Sequence, residues 1–164
     1  MDQNRKKYIG REFLQRLADK AGSARPLVME LACAPEDVRI DVATGLLAIG
    51  ADRLESVFRR KYALNILASI TRVCGLVDNE EMRKQLNDIV DTPLNGGEDD
   101  IVRVKAGSRP HSLDSKSLQK SALLALVAVD QAFGLHKLNE VIAQNGNSEF
   151  AKELCEMRKR FFSE

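Results

Sequence analysis

Ser117 and Lys120 stand at the S-x-x-K spacing, in which a lysine amine can draw the proton from a serine hydroxyl and make it a nucleophile. The S-D-N and K-T-G segments that accompany such a pair are absent, and composition alone produces about one match of this kind in a chain of this length. Gly45 and Gly50 have the glycine spacing of a phosphate-cradling loop, but Ala51 and Asp52 occupy the places of the lysine and the Ser/Thr that would meet phosphate and magnesium. His136 and Glu140 lie four residues apart, so one helical face presents both; two ligands are too few for a metal site, and Lys137 adds charge of the wrong sign. Glu98, Asp99 and Asp100, with Asp91, would attract a hard cation, yet the alternation of an EF-hand loop is missing. Cys33, Cys74 and Cys155 are odd in number and far apart, with no C-x-x-C pair, and their neighbours predict small buried apolar residues. These fragments make no assembled catalytic set and imply no metal and no cofactor. The expectation is a chain that binds and does not react.

Charge is the one uneven feature. Lys and Arg number 25 against 24 Asp and Glu, a net charge of +1, which excludes a uniformly basic coat for nucleic acid or membrane. Locally, seven basic residues face three acidic ones over Met1–Arg25, and eight acidic face two basic over Asp78–Asp100. Basic residues dominate again over Ile101–Lys137, six to two. Arg59, Arg60 and Lys61 fall in the middle of a long helical pattern, and Arg103, Lys105 and Arg109 in or beside an irregular segment, so these six are the candidate contacts to phosphates or to an acidic partner. With 5% aromatics and no Trp, stacking on single-stranded nucleic acid has little support.

The elements that must carry these residues follow from apolar spacing. At 164 residues, with 44% hydrophobic and 30% charged residues, the chain has the composition of one globular domain, residues 1–164. Ile9, Phe13 and Leu17 mark a helix over Tyr8–Ala21, and Pro26 opens a short second helix with Leu27, Val28 and Leu31 inward. Pro35-Glu36-Asp37 opens a third, with Val38, Val42, Leu46 and Ile49 inward; a strand over Val38–Val42 is the competing pattern, and the uninterrupted stripe favours the helix. From Ala51 to Gly75 a long helix is predicted, with Leu54, Phe58, Tyr62, Ile66, Ile70 and Val73 on its buried face. A helix after Asp78-Asn79 has Met82, Leu86, Ile89 and Val90 inward. Residues 92–112 are rich in turn formers, with Ile101–Lys105 a weak strand candidate. Leu118 to Phe133 predicts a central, mostly apolar helix, broken near Gly134, and Phe150, Leu154, Met157 and Phe161 a last one. The fold class expected is all-α, an irregular bundle or short helical array of six to seven helices.

Pro26 to Gly50 resembles one HEAT repeat. A short helix with paired leucines leads into the acidic turn Pro35-Glu36-Asp37, and Val38-Arg39 opens a second helix. Leu118–Leu126 is a weaker echo that lacks the arginine. The resemblance implies helix pairs stacked as an array, with Arg39 and Asp41 serving packing between repeats.

The basic start meets no apolar run before Gly10, Arg11 and Glu12, and the longest purely apolar stretch, Ala122–Val129, covers less than half a bilayer. No secretory signal and no membrane span are expected, and the setting expected is cytoplasmic. Taken together these features predict a non-catalytic protein-binding or scaffold module that presents helix faces to another protein, homo-oligomers included. The alternative is a nucleic-acid-associated regulator that uses the local cations.

Overall fold

Apolar residues recur once per helical turn through nearly all of the chain, and the computed structural model, which describes residues 2–19, 25–75, 80–92 and 111–162, turns each recurrence into a helix. Among the described residues there are eight helices and no strand: α1 Gln3–Asp19, α2 Arg25–Ala32, α3 Glu36–Ala51, α4 Val57–Cys74, α5 Glu80–Asp91, α6 His111–Val129, α7 Gln131–Asn145 and α8 Glu149–Phe162. Val38–Val42 is helical, as the unbroken stripe requires. The Ile101–Lys105 segment lies outside the described residues, as does all of the irregular stretch except its two ends.

The helices pack in sequence as a row. α1 lies on α3, α3 on α4, α4 on α6, α6 on α7 and α7 on α8, while α2 rests mainly on α4 and α5 mainly on α6. Burial follows position in the row. Leu118, Ala122, Leu123, Ala125 and Leu126 of α6 are fully enclosed, as the apolar composition of that helix predicts. In the amphipathic α5, Met82, Leu86, Ile89 and Val90 point inward, and in α8 Phe150, Leu154 and Met157 do. The last carbonyls and side chains of α5 are fastened from two helices: Gln119 donates to the Val90 carbonyl at 2.9 Å, and Lys137 pairs with Asp91 at 2.6 Å.

Eight helices stand where six or seven were expected, and the apolar pattern from Leu118 onward is cut at Asp130. This residue has extended backbone angles (φ −146°, ψ 98°), and its Oδ1 accepts the Phe133 N–H at 3.1 Å, an N-cap that ends α6 and starts α7. Phe133 therefore belongs to α7 and is partly exposed, and the predicted break at Gly134 does not occur. Gly134 stays helical, and its missing side chain lets α7 sit on the backbone of Val127, 2.5 Å from where a Cβ would be. The cysteines also depart from expectation: Cys33 is exposed and Cys74 and Cys155 are only part-buried, because each falls at a helix end or on the flank of its stripe.

Asp130 joins three helices, since its Oδ2 accepts from Arg83 of α5 at 2.8 Å while the Arg83 guanidinium lies 5.6 Å from the Phe133 ring centre. The Phe133 N–H and the Arg83 guanidinium hold the Asp130 carboxyl below the usual carboxylate range. A carboxylate with a depressed folded-state pKa stabilises the fold above its unfolded pKa of about 3.9, and that contribution is lost as pH falls through the folded value. Asp130→Ala is expected to lower stability at pH 7 by about 1–2 kcal/mol through loss of the cap. Urea unfolding of both proteins at pH 7 and pH 3 checks this: the gap between them narrows in acid, and an equal gap at both pH values would contradict the charge-based account.

Candidate functional site

Successive residues on an α-helix point about 100° apart, so three adjacent cations cannot share a face. Arg59 points outward beside α1, Arg60 points into the core, and Lys61 borders a cleft towards α6 and α8. Arg60 is only 1% exposed, and its Nε donates to the Gly50 carbonyl at 2.8 Å, which brings a positive charge to the C-terminal end of α3. It is part of the framework and offers no surface contact. Arg103, Lys105 and Arg109 lie outside the described residues. Of the six candidates, Arg59 and Lys61 reach described surface features, and they reach different ones.

The face on Arg59's side arises from a correction to the expected helix at 51–75. The chain leaves helical geometry at Asp52, whose Oδ1 accepts the Leu54 N–H at 3.0 Å, and α4 starts only after Ser56, whose hydroxyl accepts the Arg59 N–H at 3.2 Å. α4 buries Val57, Arg60, Ala63, Leu64 and Leu67, and of the residues predicted inward Ile66 and Ile70 are buried as expected. Leu54, Phe58, Tyr62 and Val73, assigned by periodicity to the interior, are exposed; Leu54 and Phe58 keep 76% and 77% of their accessible surface.

α1 and α4 both lie against α3 without packing extensively on each other, and a groove of about 400 Å³ runs between them. Leu14 and Ala18 of α1 face Phe58 and Tyr62 of α4 across it, with Arg11 and Arg59 at its edge. The two walls are pinned by ion pairs from α1 to the 52–56 turn. Lys7 pairs with Asp52 at 2.9 Å, and Arg11 with Glu55 at 2.6 Å. Glu55 is largely buried with both oxygens engaged, the second accepting from Arg59 at 3.3 Å. That carboxylate holds two guanidiniums which themselves remain about half exposed, so the edge of the groove is cationic and preorganised. Burial pushes the Asp52 carboxyl upward, but the Lys7 ammonium, the Leu54 N–H and the charge of Arg11 outweigh it and keep the group below its ordinary value, ionised at neutral pH. Tyr8, also exposed, lies one turn before Arg11 on α1.

No nucleophile in the groove is paired with a base. Burial pushes the Cys74 thiol up, away from the reactive thiolate. His136 is exposed, and Glu140 of its predicted pair is engaged with Lys137 at 3.7 Å. Among the described residues no three His, Cys, Asp or Glu side chains gather as a metal site would need, and no helix is long and apolar enough to cross a membrane. The groove sets aromatic surface, Phe58 and Tyr62, beside the fixed guanidiniums of Arg11 and Arg59. Its aromatic residues were missed because they share the helical period of the buried stripe; Asp52 and Ser56, a turn former and a cap, were the signal that shifts the helix start and with it the phase. No family model matches the chain, and comparison with curated proteins and with solved structures finds no match either.

Proposed function

We propose that the chain is a non-catalytic protein-binding module and that the α1–α4 groove is its recognition face. The observation that carries this is the exposure of Phe58 and Tyr62 in one groove beside Arg11 and Arg59. Tyr and Arg are the residue types that dominate interface energetics, Phe is enriched at interfaces, and large apolar side chains clustered at a surface have no use in a solitary domain. The partner that fits is an acidic amphipathic segment, its carboxylates on the two guanidiniums and its apolar side chains against Phe58 and Tyr62. The separation of Arg59, Arg60 and Lys61 onto three sides weighs against the same triplet acting as one phosphate-binding patch, so the nucleic-acid alternative gains no support from it.

As architecture we propose an irregular bundle. The HEAT-like stretch would pair α2 with α3, whereas these two meet only marginally and the main neighbours of α3 are α1 and α4.

A photo-crosslinking residue placed at position 58 tests the function. The expected result is a discrete set of crosslinked proteins, absent when the crosslinker is moved to exposed Lys152 in α8 and lost on Arg11→Glu/Arg59→Glu. The same products from both positions would overturn the proposal. Against a partner so identified, Phe58→Ala/Tyr62→Ala should weaken binding by about 30-fold or more, the scale of a hot-spot pair. Because Phe58 is exposed and Tyr62 partly so, thermal stability should shift by about 1 kcal/mol or less per site.

A further inference from the structure

A second concavity of about 590 Å³ opens between α4, α6 and the start of α8. Its walls are of mixed chemistry. Lys61 comes from α4, Lys116 and Lys120 from α6, and Phe150 and Met157 from α8. Ser117 and Ser121, one helical turn apart on α6, both face into it.

Four observations give this cleft the features of an anion site. Lys116 meets no carboxylate among the described residues; its ammonium lies 5.8 Å from the centre of the Phe150 ring, which holds it over the cleft while leaving its hydrogens available. Lys120 is only loosely engaged, 3.4 Å from a solvent-exposed Glu153. Ser121 is 95% buried, with 5% of its surface accessible, lines the cleft, and makes no hydrogen bond among the described residues. Its Oγ is not closed off from solvent, so the hydroxyl opens onto the cleft and is free to donate to a group bound there. Finally, Ser148 caps α8, its hydroxyl accepting from Ala151 N–H at 3.1 Å. The first-turn amides of Glu149 and Phe150, which an α-helix leaves without internal partners, thereby fall at residues that also line the cleft. Glu149 tempers the positive end of α8, but it is itself paired with Lys152 at 3.1 Å.

We propose that this cleft binds a small phosphomonoester. The phosphoryl oxygens are taken by the α6 lysines, the Ser121 hydroxyl and the opening amides of α8, and the apolar remainder of the ligand rests on Phe150 and Met157. The S-x-x-K pair noticed in the sequence thus holds the ligand through the lysine; no step of catalysis is involved. Competition between the phosphoryl group and Glu153 for Lys120 makes occupancy sensitive to salt. The site shares no residue with the α1–α4 groove, so either can fail without the other.

Phenyl phosphate is the probe, titrated into the full chain and followed by amide chemical shifts. Saturable shifts are expected at residues 117–121 and 149–151, weakening as salt rises, and phenol and inorganic phosphate should each bind at least about tenfold more weakly than the joined probe. Lys116→Gln/Lys120→Gln, which alters surface side chains and spares the core, should weaken binding by about tenfold or more. Ser121→Ala, which removes only the hydroxyl, should do so by about tenfold with the melting temperature checked alongside. No saturable shifts in the millimolar range, shifts centred elsewhere, phenol binding as well as phenyl phosphate, or full binding by the double glutamine variant would overturn the proposal.

Discussion

Arg60→Ala is expected to destabilise the fold by about 3–5 kcal/mol, the sum of a large buried side chain removed and a carbonyl left without its donor. At 99% burial Arg60 has no slack, and its Nε holds the Gly50 carbonyl where α3 ends and the chain turns towards α4. The guanidinium also completes a small recess bordered by Asp88 and Gln85 of α5, so the cavity left by truncation opens at the junction of three helices. For a chain of this size the midpoint of thermal unfolding should fall by roughly 10 °C or more. Arg60→Met separates the contributions, since it restores most of the volume and none of the hydrogen bonding. It should recover part of the loss and remain about 1–3 kcal/mol below the parent protein. An alanine variant that melts with the parent would show that the buried guanidinium is not a structural tie.

Gly45→Ala should lower stability by about 1–3 kcal/mol even though helix propensity alone favours alanine by about 1 kcal/mol, so the sign of the change is itself diagnostic. α1 and α3 cross at Gly10 and Gly45 with their backbones in contact. A Cβ on Gly45 would lie 2.5 Å from the Lys6 carbonyl oxygen and 2.8 Å from the Gly10 nitrogen. Both obstacles are main-chain atoms, which cannot swing aside as a side-chain tip can, so the two helices must move apart along their whole contact. Because α1 also forms one wall of the groove, the Lys7–Asp52 and Arg11–Glu55 pairs would be stretched by the same movement. Equilibrium denaturation checks the sign, and a stabilised Gly45→Ala protein would mean that the crossing is looser than the structure has it.

The two changes concern residues whose types, taken from the sequence, suggest the opposite roles. Arg60 stands within a cationic triplet and reads as a surface contact, and Gly45 opens a spacing that resembles a phosphate loop. Both turn out to serve packing. The reverse holds for Phe58 and Tyr62, which read as core and line the α1–α4 groove, and for Ser117 and Lys120, which read as a catalytic fragment and line a cleft. In α5 and α8, by contrast, every apolar residue predicted to face inward does so, Phe161 only in part, because each of these helices has a single apolar stripe and a polar remainder.

Helical content, the position of most helices and the inward faces of α1, α5 and α8 were set by the amino-acid order alone. Period and capping act over four residues or fewer, and the chain need not be folded for them to be visible. The exposure of Phe58 and Tyr62 in the first turns of α4, the burial of Arg60 and the approach of Lys61 to Lys116 and Lys120 were decided by tertiary packing. Either face of those first turns satisfies the same 3.6-residue period, and only the placement of α3 and α6 against α4, elements distant in sequence, determines which one loses its water.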